Sequence, residues 1–497
     1  MNRRSLPGAA AVLLLAACVS APPAIDGVAA APPAPNTYWK PPASVTAAPP
    51  APSPAPAAAM TTDSAAAPRS AQALRQLTLA DAVDIALRNN PATKLSWAQA
   101  RASADLYGAS RGSLFPTVTA SASVTRSKSI AVPGRLTGER TQYGPSVNLS
   151  YLVFDFGGRA GGIEAARQTA IAADLAHNTA VQNTVLQVET SVFSYLGTRA
   201  LRDAQRTALD EATANLAAAN DRHNVGLATI ADVLQARTAR SQAQLDLETL
   251  GGQLAVTRGA LAVAMGLPAN TTVDLPDEAA PDTSAVDAVT ESVDSLIETA
   301  TRYRPDLQQA RAQAKVAEAQ LAQARAARLP SLQLGATGGH TQSNLTGFAG
   351  NSYTLTLGLS VPLFTGFSHL YDVRAADEQV AAANARAELT RQQIALQVFT
   401  SFYTMRTAGQ RVRTSADLLA SAEQSEQVAR GRYTEGVGSI IDLLVAQSAL
   451  ASARAQAVQA RWQWRTALAQ LAHDAGVLGI HGEALAPLTN SSPGTNR

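Results

Sequence analysis

Two rhythms of apolar and polar residues share this chain. Between Tyr353 and Leu363, Tyr353, Leu355, Leu357, Leu359, Val361 and Leu363 alternate with Thr354, Thr356, Gly358 and Ser360. Side chains alternate faces along a strand, so this stretch reads as a strand with one apolar and one polar side. Its length suits a bilayer, whose hydrocarbon core takes about 9–11 residues of tilted strand. Three further stretches share the pattern. Val147, Leu149, Tyr151 and Val153 alternate with Ser146, Asn148 and Ser150. Leu114, Val118, Ala120, Ala122 and Val124 fall among Thr117, Thr119, Ser121, Ser123 and Thr125. Leu332, Leu334 and Ala336 alternate with Ser331, Gln333, Gly335 and Thr337. The four strands form two hairpin-like pairs, over about 114–155 and 330–364, joined by polar Gly-containing loops at 126–142 and 338–352. Four strands cannot close a membrane barrel, since about eight is the minimum. Either they form an open soluble sheet, or several chains pool their strands.

Elsewhere the rhythm is helical. Leu79, Val83, Ile85 and Leu87 make a stripe behind Thr78, a plausible N-cap. Pro91 opens a second helix that runs to about 112 and leads into the first strand pair. From 161 to about 225, and again from about 230 to 265, Ala and Leu recur at three- and four-residue spacing, the pattern of antiparallel coiled coils. The first of these helices is on the order of 100 Å long. A Pro-containing linker fills 266–290.

The chain then repeats itself. Asn89-Asn90-Pro91 returns as Tyr303-Arg304-Pro305, and Pro116 returns as Pro330, both 214 residues on. Residues 222–234 return at 432–444, 210 residues on, each with Arg, then Gly, then Asp-x-Leu. A long helix from about 368 to 435 and a last one to about 475 complete the second half. The expected layout is a leader over 1–17, a tether over 18–76, repeats over 77–287 and 288–475, and a tail over 476–497.

The leader has Arg3 and Arg4 ahead of the apolar run 8–17 and ends Leu15-Ala16-Ala17-Cys18, which looks like a bacterial lipobox. Cys18 is then the lipidation site; the plainer alternative is an ordinary signal peptide. It is the single cysteine, so no internal disulfide can form. Val19 and Ser20, with no Asp after the Cys, resemble lipoproteins sorted to the outer membrane. The Pro/Ala-rich stretch 19–71 is expected to have no packed core, and Tyr38-Trp39, its aromatic patch, is a candidate for docking on the body. Without Arg3 and Arg4 the chain's 40 basic residues become 38, matching its 38 acidic ones, so there is no polyanion footprint and nucleic acid is not an expected partner. His177, His223, His340, His369, His473 and His481 are scattered, and no nucleophile, phosphate-loop or metal-ligand motif accompanies them. The expectation is no catalysis and no cofactor.

The duplicated half, the Leu-Pro entry to the second strand pair, the Val361-Pro-Leu-Phe-x-Gly366 exit and the paired turns resemble the TolC family of outer-membrane efflux proteins, in its lipoprotein branch, over about residues 77–475. That resemblance implies a mainly α fold with membrane β. Three chains would give four strands each to one 12-stranded outer-membrane β-barrel, continued by a long periplasmic α-helical barrel. Tyr143, Tyr151, Phe154, Phe156, Tyr353, Phe364 and Phe367 would suit its interfacial girdle. The implied location is the outer membrane of a Gram-negative bacterium. The implied role is exit duct of a tripartite efflux system, a homotrimer in outer-membrane lipid. Its partners would be a periplasmic adaptor and an inner-membrane pump of RND, MFS or ABC type. A type I protein-secretion duct and a non-pore coiled-coil lipoprotein are the rivals.

The resemblance also places the paired turns at the periplasmic tips, with Arg222, Gly226, Asp232, Arg432, Tyr433 and Gly436 at the adaptor-docking and gating end. Asp442 falls on the family's pore-facing acidic position, and Tyr433 and Asp232 on an inter-helix link. Two departures stand out: Val445 replaces a second acid, and Gly438 replaces a basic residue. Leu444 and Val445 would then add an apolar constriction to a single acidic ring. The residues alone support a plainer reading as well, because Thr229-Ile-Ala-Asp232 and Ser439-Ile-Ile-Asp442 are capping-box patterns.

Overall fold

A computed structural model describes residues 31–40, 77–128, 139–276, 292–344 and 349–478. The leader with Cys18, most of the tether and the tail beyond 478 lie outside the described residues. The elements are α1 (Leu79–Asn89), α2 (Pro91–Arg111), β1 (Thr117–Lys128), β2 (Glu139–Phe154), α3 (Gly158–Asn224) and α4 (Ile230–Ala264). They recur as α5 (Val293–Tyr303), α6 (Pro305–Ala326), β3 (Ser331–Ser343), β4 (Ala349–Ser360), α7 (Ser368–Thr434) and α8 (Ile440–Asp474). The duplication is nearly residue for residue: α3 and α7 both have 67 residues, α4 and α8 both 35. Among the described residues no helix is long and apolar enough to cross a membrane.

Local chemistry explains the boundaries. Thr78 caps α1 with Asp81 closing a capping box. Asn90 caps α2 ahead of Pro91 at the first helical position, where a missing N–H is harmless. The expected strand start at Leu114 shifts to Thr117, because a short 3-10 turn over Gly112–Leu114 precedes Pro116. The expected end of the fourth strand at Leu363 shifts back to Ser360, ahead of Pro362, which has no N–H for a ladder. Each second strand turns into its long helix through two left-handed residues, Phe156 and Gly157 at φ 51 and 94°, then Gly366 and Phe367 at φ 60 and 66°.

The sheet runs β1-β2-β3-β4, antiparallel throughout, with β1 and β4 as edges. Its register sorts the side chains. Val118 opposes Leu149 and Ala120 opposes Val147, while Leu149 opposes Ala336, Tyr151 opposes Leu334 and Leu334 opposes Leu357. Directly opposed residues share a face, so one face is apolar across all four strands. It is also bare: Tyr353 is 90% exposed and Leu355, Leu357 and Leu359 are 71, 66 and 68% exposed. The other face carries a polar network, in which Ser121 Oγ meets Ser146 Oγ at 3.0 Å and Thr337 Oγ1 donates to Asn148 Oδ1 at 3.0 Å.

The helices have their own cores. Leu77, Val188, Val192, Leu261 and Met265 pack at the junction of α1, α3 and α4. Leu307, Ile394, Val398, Trp464 and Leu471 do the same among α6, α7 and α8. α3 also packs along α8, joining the repeats. The Tyr38-Trp39 patch is docked. Asn178 on α3 grips the Trp39 backbone, accepting its N–H at 2.8 Å and donating to its carbonyl at 2.9 Å. His177 Nε2 meets the Thr37 carbonyl at 3.1 Å and Trp97 Nε1 donates to the Pro32 carbonyl at 2.8 Å.

Candidate functional site

The α3–α4 and α7–α8 hairpins end in tips of one construction. Gly226 and Gly436 take φ of +79 and +76°, the left-handed region that favours Gly. The next N–H groups, of Leu227 and Val437, reach back to the Arg222 and Arg432 carbonyls at 2.7 and 2.9 Å. This is a Schellman ending, which satisfies carbonyls the helix leaves free. Thr229 and Ser439 then start the return helices. Asp232 Oδ2 accepts from the Thr229 N–H at 2.8 Å, and Asp442 Oδ2 accepts from the Ser439 N–H at 3.4 Å. Both carboxylates thus close capping boxes at the positive ends of helix dipoles.

The two tips pack on each other through Ala219, Val233, Ala236, Tyr433, Ile440 and Leu443. Leu444 is half-buried against this cluster. Asp442 is exposed, and Val445 is 64% exposed beside it. Gly438 donates its N–H to the Arg432 carbonyl at 2.9 Å. Val225, Leu227, Val437 and Ile441 are 70, 74, 69 and 53% exposed, so bare apolar side chains stand among the polar ones at this end.

One cross-tip contact differs from the sequence expectation. Within the chain Tyr433 is not bonded to Asp232: the Tyr433 hydroxyl is buried without a hydrogen-bond partner. Asp232 is turned to its own helix start. Arg222 takes its place. Its guanidinium lies over the Tyr433 ring at 4.6 Å from the centroid, and Nη1 donates to the Tyr433 carbonyl at 2.6 Å. Arg432, the repeat counterpart of Arg222, is exposed. The turn motifs located all these residues, but no spacing signal pointed Arg222 at a residue 211 positions away.

Residues 82–267 and 296–477 match the model of the outer membrane efflux protein family. The chain belongs to that family. The two matched segments are the two repeats. Among curated relatives, this efflux protein is 29% identical to protein CyaE of Bordetella pertussis over 83% of this chain and 86% of that one. It is 26% identical to the toluene efflux pump outer membrane protein TtgI of Pseudomonas putida, over 78 and 83% of the two chains. Its fold is that of solved outer-membrane proteins. A membrane protein from Pseudomonas aeruginosa superposes with a TM-score of 0.73 at 24% identity, over 80% of this chain and 93% of that one. VceC from Vibrio cholerae does so with a TM-score of 0.71 at 20% identity, over 80 and 96%.

Proposed function

We propose that three copies of this efflux protein pool their sheets into one 12-stranded barrel and their helices into a tube, making the exit duct of a tripartite efflux system. The observation that supports this most is the bare apolar face bounded by two unpaired edges, β1 and β4. Edge strands need partners, and in lipid only a closed barrel satisfies every backbone group. Pairing β4 of one copy with β1 of the next would close it. The apolar face then meets lipid, and the Ser121–Asn148–Thr337 face meets water. Cys18 adds a lipid anchor.

The tips form the periplasmic end. Three Asp442 carboxylates make a ring that favours cations, with Leu444 and Val445 beside it. The exposed Val225, Leu227 and Val437 take a periplasmic adaptor, and an inner-membrane pump of RND, MFS or ABC type supplies the energy. Relatives named as toluene and solvent efflux pump outer membrane proteins support small molecules as cargo. The test is direct. The full-length chain runs as a trimer in mild detergent and opens cation-preferring channels in planar bilayers, and Asp442→Ala weakens that preference. A non-conducting monomer overturns the duct, and an unchanged ion preference removes Asp442 from the gate.

A further inference from the structure

From the geometry of the tips we infer that the resting gate of this duct is held by Arg222, clamped on the ring and carbonyl of Tyr433, and not by the Tyr433 hydroxyl. This rests on the reading of the tips as the gated end.

Three polar contacts tie α3 of repeat one to repeat two along the lower hairpins. Arg454 Nη1 donates to Glu211 Oε1 at 3.0 Å, Asn215 Nδ2 donates to Gln447 Oε1, and Arg222 Nη1 donates to the Tyr433 carbonyl at 2.6 Å. The last is nearest the turns and has two parts. A guanidinium over an aromatic face and a charge-assisted hydrogen bond to a carbonyl reinforce each other. The carbonyl sits in the last turn of α7, where helix dipoles concentrate negative charge. Gly436 lies beside the clamp, where a Cβ would sit in ordinary contact with Arg222 Nη2 at 3.6 Å. Parting the α3–α4 hairpin from the α7–α8 hairpin at this end must pull Arg222 off Tyr433.

Beyond the apolar packing of the tips, the polar groups that the turn motifs single out are occupied or unable to serve. Asp232 is closed into its capping box with Thr229. Gly438 has no side chain. The buried Tyr433 hydroxyl has no partner. A purely structural Arg222, one that only neutralises two helix ends, would change stability and leave conductance alone, so the two roles separate experimentally.

The experiment is single-channel recording of the full-length chain in planar bilayers, with trimer content checked for each variant. Arg222→Ala and Tyr433→Ala raise resting conductance roughly tenfold, the scale of one charge-assisted hydrogen bond with a cation–π contact. Arg222→Lys gives an intermediate rise, because a point charge keeps the attraction but loses the fork. Tyr433→Phe gives a small fraction of the Ala effect. If Arg222→Ala does not assemble, the graded pair Arg222→Lys and Tyr433→Phe carries the test, and equal rises overturn the inference. Tyr433→Phe opening the channel as fully as Arg222→Ala also overturns it. A parent-like Arg222→Ala beside an Asp442→Ala with altered ion preference removes the clamp and leaves the gated tip standing. Parent-like behaviour in both removes the gated tip as well.

Discussion

The two repeats match in length and differ at their joints. Where α4 ends, Asn90 Nδ2 donates to the Ala264 carbonyl at 3.0 Å while its Oδ1 caps α2. At the corresponding end of α8 stands Arg304. It grips Asp306 through two bonds of 2.6 and 3.1 Å, donates to Gln397 at 2.7 Å, and reaches the Asp474 carbonyl at 3.3 Å. His473 bridges Asp474 to Asn183 on α3 of repeat one, and these groups line a polar cavity of about 320 Å³. Burial alone would raise the Asp474 carboxyl. Hydrogen bonds from His473 and Gln470 and the charges of His473 and Arg304 hold it below its ordinary value. One repeat meets a helix end with a neutral amide, the other with a buried ion network that crosses to its sister.

The same divergence recurs elsewhere. His177 and Asn178 hold the tether on repeat one, and 210 residues on stand Ala387 and Glu388, which hold nothing equivalent. Asp174 is fully buried with neither oxygen bonded, and its counterpart is the exposed amide Asn384. Duplicated backbones impose the same joints, and different side chains can close them. Repeat one has become the anchor for the tether, while repeat two carries the charged joint.

Swapping joint residues tests this division. The largest effect belongs to Arg304→Ala, which takes the cation away from buried Asp474 and half-buried Asp306 and costs about 3–5 kcal/mol. Asn90→Ala loses a cap and one hydrogen bond, about 1–2 kcal/mol. Thermal or denaturant unfolding in detergent reads both, and equal losses would break the comparison.

Next comes Asp174, whose carboxyl burial pushes from 3.8 up to about 7. A carboxyl raised in the folded state binds protons that the unfolded chain has released. Its stability is therefore full below about pH 4 and is lost as pH rises through about 7. Asp174→Asn gives repeat one the residue of repeat two. It gains up to about 4 kcal/mol at pH 8 and much less at pH 5. Asn384→Asp, at an exposed site, changes stability by less than about 0.5 kcal/mol. Unfolding midpoints at both pH values check the sign. The smallest effect is local. Asn178→Ala loosens residues 31–40, read as faster backbone amide exchange there, while Glu388→Ala leaves that segment protected.

Much of the fold was legible in the chain. The alternation in the four strands placed them to within a few residues, and Pro116 and Pro362 account for the shifted ends. Thr78, and Thr229 and Ser439 with their Asp partners, marked helix starts, and Gly226 and Gly436 lie in the turn motifs at the helix ends. Tyr38-Trp39 stood out as the aromatic point in a Pro/Ala stretch. Within the chain Asp232 closes its own capping box and is not joined to Tyr433, because a capping carboxylate is satisfied locally before any distant hydroxyl can claim it.

What the sequence by itself determined was therefore whatever depends on neighbours: the period of each element, its caps, its turns and the doubling of the plan. Tertiary structure alone decided that Arg222 finds Tyr433, that Arg304 finds Asp474, and that His473 finds Asn183. Those partners lie 211, 170 and 290 residues apart. Such pairings follow from how long helices are set side by side. A one-turn slide, about 5.4 Å, would leave every local pattern intact and give each of these groups a different neighbour.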